Sequence, residues 1–285
     1  MVSARFGCVD GRAVLVTDSL ASYVDIEKIS SNKLPSEPMA CLERWSEVCK
    51  VAANLSPTDE LSAVALDANK LECPVPRPRQ IFAIGINYKA HAAEMNNPLP
   101  KEPLVFTKFQ SSLNSPNGSL TLVGEKCDFE AELVAVIAKG GRNILAGEAW
   151  GHVAGLCVGQ DVSDRALQYA NTPPQFSLGK SRAGFTPIGP WITDAASLAT
   201  RANLEMTCRV SGEIMQHTQT DDMIFEIPEI ISYLSSICEL FSGDVIYTGT
   251  PSGVGAGRTP QRFLRSGDVI KTTIQDLGTL TNKCI

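Results

Sequence analysis

Three groups of residues in this chain have the types and the spacing to do chemistry. The first lies in Asp128-Phe129-Glu130-Ala131-Glu132-Leu133-Val134-Ala135-Val136-Ile137, where two carboxylates stand two residues apart at the head of an apolar strand. Side chains alternate along a strand, so Glu130 and Glu132 share a face that continues as Val134 and Val136. Two carboxylates side by side on a buried face cannot both stay ionised without a counter-charge. Either one takes up a proton, or a cation sits between them, and oxygen ligands suit a hard divalent ion such as Mg²⁺ or Ca²⁺. An isolated Glu-x-Glu also fits a half-exposed strand, so its neighbours must decide between the readings.

The second group is His91 and Glu94, in Asn87-Tyr88-Lys89-Ala90-His91-Ala92-Ala93-Glu94. Three residues apart on a short helix, they share a face. Glu94 can hold one ring nitrogen of His91 and leave the other basic toward a water or a substrate. Asn87 and Tyr88 read as supports for the loop that presents His91.

The third group begins where the apolar run at residues 155–160 ends in Asp161, the place for a third metal ligand. Downstream, Phe176-Ser177-Leu178-Gly179-Lys180-Ser181 supplies Lys180 as an acid or a carboxylate anchor. Arg165, four residues past Asp161, fits either a bidentate anchor for a substrate carboxylate or a clamp on a metal-binding carboxylate. His152, in an amphipathic stretch, and His217, in an exposed-looking strand or turn, read as bland. Cys127, near the proposed ligands in sequence, is placed for exposure to oxidants but is a poor nucleophile, because the one nearby histidine already has a partner.

In order and spacing, these segments resemble the fumarylacetoacetate hydrolase family from about Pro76 to the C-terminus. The family's Glu-x-Glu and later Asp fall on Glu130, Glu132 and Asp161, its His-x-x-Glu pair on His91 and Glu94, and its Gly-Lys-Ser lysine on Lys180. Its Thr-Gly-Thr-Pro loop falls on Thr248-Gly249-Thr250-Pro251, and residues 223–234 look like its signature helix. Two departures fall where specificity is expected. The first lysine, Lys108, is followed by Phe109 where many members have Pro, and Lys180-Ser181 is followed by Arg182-Ala183-Gly184 rather than an aromatic residue and Asp-Thr.

The resemblance implies a metal site of Glu130, Glu132 and Asp161 holding Mg²⁺, with Mn²⁺ or Ca²⁺ as alternatives. It also implies catalysis by His91, Glu94 and Lys180, and substrate contacts from Lys108, Arg165 and Thr250. The expected reaction is hydrolytic C–C cleavage of a 2,4-dioxo acid or acylpyruvate: the ion stabilises an enolate while His91 activates water and Lys180 offsets or protonates the developing anion. The same enolate chemistry without attacking water gives decarboxylation of oxaloacetate-like acids or keto–enol isomerisation. A reading from another class is a silent metal-binding interaction protein, which the intact set of site residues argues against.

Composition narrows the partners. At 285 residues and a net charge of −6, with no Lys/Arg-rich run, the chain suits neither nucleic acid nor an anionic membrane as partner. No apolar run approaches a membrane span, and Met1-Val2-Ser3-Ala4-Arg5-Phe6 leads toward a strand rather than a secretory segment, so a cytoplasmic, intracellular protein is expected. Nine cysteines without Cys-x-x-Cys spacing read as reduced thiols.

The elements that must position these groups form an α+β fold, mainly β. Residues 6–16 read as a hairpin turning at Asp10-Gly11, and residues 42–52 have helical periodicity. They belong to a small N-terminal α+β cap over residues 1–73. Prolines at 74, 76 and 78 then mark an extended linker into a second domain, residues 74–285. There, short strands alternate with Gly- and Pro-rich turns, with helices near 146–153 and 228–240, and the resemblance implies a mixed β-sandwich roll. The glycine-rich residues 249–257 lack the Lys-Ser/Thr end of a phosphate loop and suit a substrate-facing loop instead. A homodimer is expected from the resemblance, with the apolar stretch 224–234 as a candidate contact.

Overall fold

Strand Ala131–Ile137 is buried along its whole length in the computed structural model, which describes residues 4–56, 59 and 61–285. Met1, Val2 and Ser3, from the expected approach to the first strand, lie outside the described residues. Alternation splits the strand by parity: Leu133, Ala135 and Ile137 enter one core, and Val134 and Val136 enter another. Both faces are covered, so the sequence shows a continuous apolar run rather than an apolar-polar alternation.

This strand pairs antiparallel with Val153–Gln160 on one side and with Val245–Tyr247 on the other. Beyond Val153–Gln160 the sheet continues through Thr186–Asp194, Arg5–Val9, Arg12–Val16, Ser22–Asp25 and Val64–Ala65. In the other direction it continues through Ile81–Gly85 to Leu104–Thr107 at the edge. The first core is closed by a four-stranded sheet, Glu213–Gln219, Glu205–Val210, Val269–Ile274 and Gly278–Lys283, together with helix Ile227–Ile237. The second is closed by Phe6, Leu15, Ile26, Trp45 and Val48 from the N-terminal region. That region's first strand is hydrogen-bonded into the large sheet, with Phe6 opposite Ile192. The architecture is α+β and mostly β, as the sequence suggests.

Asp10 and Gly11 both take positive φ, 49° and 72°, the twist that a two-residue hairpin turn requires. Three local expectations need correction. The helix expected over 42–52 is two helices, Pro38–Leu42 and Trp45–Ala53, because Arg44 leaves the helical region with φ −117° and ψ 34°. The expected helix at 146–153 is a 3₁₀ stretch, Ala146–His152, with glycines at 147 and 151 weakening any α-helix. The helix expected over 228–240 ends at Ile237, where Cys238 turns extended.

Cys127 is buried rather than open to oxidants, and none of the nine cysteines forms a disulfide. Ile227, Ile230, Ile231 and Leu234 are also buried, so the stretch offered as a dimer contact is spent on the chain's own core. Among the described residues, no helix is long and apolar enough to cross a membrane.

Candidate active site

The three acidic residues are assembled by the sheet register. Ala131 faces Gln160 and Glu132 faces Gly159 across the ladder, and the Asp161 N–H donates to the Glu130 carbonyl at 2.9 Å. One carboxylate oxygen from each of Glu130, Glu132 and Asp161 then lies within 4.8 Å of the others, and all three residues are buried. Such clustered hard oxygen donors fit a divalent ion of the Mg²⁺, Mn²⁺ or Ca²⁺ kind.

The head of the strand is held by side-chain amides where its backbone is irregular. Gln160 Oε1 accepts the Glu130 N–H at 3.0 Å, and its Nε2 donates to Thr272 Oγ1 at 2.7 Å. Gln216 Oε1 accepts the Ala131 N–H at 2.9 Å, and its Nε2 donates to Thr250 Oγ1 at 2.8 Å and to the Pro251 carbonyl at 3.0 Å. Gln216 therefore ties the strand that carries Glu130 and Glu132 to the loop at 248–251. Sequence reasoning passed over both glutamines. Their signal was an uncharged amide among apolar strand residues, which needs hydrogen-bond partners once buried.

Cations crowd the cluster. Lys180 Nζ donates to Glu130 Oε2 and Asp161 Oδ2, both at 2.6 Å. Arg165 Nε donates to Asp128 Oδ2 at 2.9 Å, Nη1 to Gln168 Oε1 at 2.9 Å and Nη2 to Glu130 Oε1 at 2.5 Å. Arg165 thus pairs with Asp128 and Glu130, and it also lines the cavity described below. Lys108, read as a substrate contact, instead has its Nζ sealed behind Asp161, donating to Asp161 and to the Phe185 carbonyl.

Burial pushes the Glu130 carboxyl up, but Lys180 and Arg165 outweigh it and hold the group below the usual range. Among the described residues Glu132 makes no ion pair, and burial, then Asp161 and Glu130, push its carboxyl well above the usual range, outweighing the pull of Lys180. Burial also pulls the Lys108 ammonium down, against the pull of Asp161, whereas Lys180 ends above its ordinary value because Asp161 and Glu130 outweigh its burial.

Glu132 Oε2 accepts the Gly249 N–H at 2.7 Å. Gly249 has φ +101°, and a Cβ there would lie 2.8 Å from Asn87 Cβ, so the turn requires glycine. Asn87 locks the same junction, donating to the Thr248 carbonyl at 2.7 Å and accepting the Phe225 N–H at 2.8 Å.

Helix Lys89–Glu94 presents His91, whose Nδ1 lies 2.9 Å from Glu94 Oε2. Asp128, unassigned from sequence, accepts the N–H groups of Gly255 at 2.7 Å and Ala256 at 3.0 Å. It anchors the glycine-rich turn beside this pair. His152 donates to or accepts from nothing at the site, its Nδ1 lying 2.7 Å from the Lys139 carbonyl, and His217 pairs with Glu205 at 2.9 Å across two strands.

A cavity of about 220 Å³ joins the two groups. Its polar lining includes His91, Glu130, Glu132, Arg165, Lys180, Thr250 and the unpredicted Gln168, and its apolar lining includes Ile84, Met95, Phe106, Phe176 and Val254. The space suits a small acid rather than a drug-sized ligand, whose sites run to roughly 300–1,000 Å³.

The sequence model described as fumarylacetoacetate (FAA) hydrolase C-terminal matches residues 80–285. Among curated proteins, the chain is 42% identical over 214 residues to the oxaloacetate tautomerase FAHD2A, mitochondrial, of Bos taurus, covering 74% of this chain and 68% of the relative. Among solved structures, an HpcE protein from Mycobacterium smegmatis superposes with a TM-score of 0.90 at 42% identity, over 99% of both chains. A maleylpyruvate hydrolase from Sphingobium sp., solved with manganese(II) and pyruvate, superposes with a TM-score of 0.78 at 26% identity, over 100% of this chain and 99% of that one.

Proposed function

Because this chain belongs to the fumarylacetoacetate hydrolase family of enzymes, we propose that it interconverts the keto and enol forms of an oxaloacetate-like 2-oxo acid at this cavity. The observation that carries the reading is that His91, held by Glu94, lines the same small cavity as Glu130 and Glu132 of the buried three-carboxylate cluster. Tautomerisation needs a group that takes and returns a proton and an environment that tolerates the enolate. It does not need a positioned attacking water. The 42% identity to an oxaloacetate tautomerase favours this outcome over the hydrolysis expected first.

In this reading Glu130, Glu132 and Asp161 hold Mg²⁺, with Mn²⁺ or Ca²⁺ as alternatives. When bound, a divalent ion supplies Lewis-acid stabilisation of enolate charge. Glu94 fixes the His91 ring through Nδ1 and leaves Nε2 to take a proton from the carbon beside the carbonyl and to give it back. The Lys180 ammonium, at the cavity wall, offsets negative charge on the substrate oxygens. Thr250, oriented by Gln216, offers a hydroxyl to the bound acid. The apolar wall formed by Phe106, Phe176 and Met95 excludes water and limits chain length.

Hydrolysis of acylpyruvates is the second reading, favoured by the fold's likeness to a maleylpyruvate hydrolase solved with manganese(II) and pyruvate. The deciding assay follows the ultraviolet absorbance of enol-oxaloacetate, and separately that of acylpyruvates, with each metal and with chelator. Metal-dependent acceleration of enol decay above the spontaneous rate is expected, falling by about 10²-fold in His91→Ala, the usual worth of a positioned base. Acceleration of acylpyruvate loss alone would hand the site to hydrolysis.

A further inference from the structure

Asp161 carries an ammonium group on each carboxylate oxygen. Lys180 Nζ lies 2.6 Å from Oδ2, and Lys108 Nζ donates to Oδ1 and, at 3.0 Å, to the Phe185 carbonyl. The two lysines differ in what else surrounds them. Lys180 borders the cavity, whereas Lys108 is absent from its lining. The Lys108 side chain has no exposed surface, and the Tyr247 ring, with its centroid 6.0 Å from Nζ, packs over it. Lys108 is thus out of substrate's reach and has no open space into which to withdraw.

The surrounding charges show what it does there. Asp128, Glu130, Glu132 and Asp161 are all buried, and the cations bonded among them are Lys108, Lys180 and Arg165. Both carboxylate oxygens of Asp161 and both of Glu130 therefore already face a basic side chain before any ion enters. A buried carboxylate group of this kind is costly when unpaired, and internal pairing removes most of that cost. A divalent ion entering the triad meets the Lys108 amine already donating to one of its ligands, and a cationic group there weakens its binding.

We infer that Lys108 is a resident counter-cation of the metal centre, holding Asp161 in ligand position without an ion and keeping the affinity for the ion low. The inference rests on the metal reading of the triad.

The test compares the full-length parent with Lys108→Met and Lys108→Gln. Mn²⁺ binding is followed by the loss of the free-ion electron paramagnetic resonance signal, and melting is recorded with and without Mn²⁺. Both variants should melt lower than the parent in chelator, bind Mn²⁺ at least about tenfold more tightly, and gain more from the ion than the parent does. Glutamine keeps a hydrogen-bond donor and loses the charge, so tightening in Lys108→Gln identifies charge as the cause.

Unchanged or weaker Mn²⁺ binding by Lys108→Gln, with melting lowered equally with and without the ion, would overturn the inference and leave the metal reading standing. If a variant does not fold in chelator, refolding in millimolar Mn²⁺ decides: recovery supports the inference, and failure to recover overturns it. A parent that takes up no Mn²⁺ overturns both readings.

Discussion

Glu94 accepts the backbone N–H of Gly253 at 2.8 Å through Oε1, while its other oxygen faces His91 Nδ1 at 2.9 Å. One carboxylate therefore fixes both the ring of His91 and the glycine-rich turn at 253–257. The position of His91 depends on a loop more than 150 residues away in sequence.

This coupling makes Gly257 a sensitive point although it does not line the cavity. A Cβ at Gly257 would lie 2.7 Å from Glu94 Cδ, so Gly257→Ala must move the carboxylate. The expected result is a fall in kcat of about 10- to 100-fold, the scale of a small misplacement of a catalytic group, with KM little changed. Gly147→Ala, where a Cβ meets nothing within 4 Å, is the control and should keep the parental rate. Equal rates for both variants would separate His91 from the turn.

Metal binding should raise the melting temperature by mass action, by several degrees at a hundredfold excess over Kd, where the stabilisation is about 2.7 kcal/mol. The rise reports binding itself rather than relief of bare repulsion, because Lys108 and Lys180 already pair with the cluster. Glu132→Ala removes a ligand without removing a salt bridge and should abolish the rise in a thermal melt. A rise of parental size in Glu132→Ala would take this residue out of the metal site.

Asp244 sets a pH dependence remote from the site. Burial raises its carboxyl to about 6, against the opposing pull of hydrogen bonds from the Phe241 N–H at 2.8 Å and from Gln80 Nε2 at 2.7 Å. A carboxyl raised in the folded state favours folding when protonated. Its contribution is therefore full below the unfolded value near 4 and is lost as pH rises through about 6, a change of roughly 3 kcal/mol. Asp244→Asn loses an acceptor but cannot titrate. The parent's advantage over this variant in melting temperature should be largest near pH 4 and shrink by pH 7, and a gap constant with pH would contradict the assignment.

A homodimer remains our proposal for the assembly, with support moved to a different surface. Leu104 and Val105 on the edge strand Leu104–Thr107, with Phe109 beyond it, are exposed at 41%, 37% and 50%. An apolar sheet edge of this kind invites a partner strand. Sedimentation should give about twice the chain mass of 30.6 kDa, and Val105→Lys should return the monomer. A monomeric parent at micromolar concentration would end the proposal.

The sequence by itself determined the chemistry on offer. Glu130 and Glu132 share a strand face by the period of two, and His91 meets Glu94 by the period of the helix. Both are local regularities that any neighbouring residues would obey. The near-continuous apolar run after Glu132 likewise reported a strand covered on both faces.

Only the tertiary structure decided which charges meet. Lys108 and Asp161 are 53 residues apart, and Glu94 and Gly253 are 159 apart. Their contacts follow from sheet register and loop packing, which leave no periodic trace in the chain. For the same reason Lys108 reads from sequence as a substrate contact and Arg165 as either a substrate anchor or a carboxylate clamp, while the fold pairs one with Asp161 and the other with Asp128 and Glu130. A charged side chain names its possible partners, but burial and distance select among them.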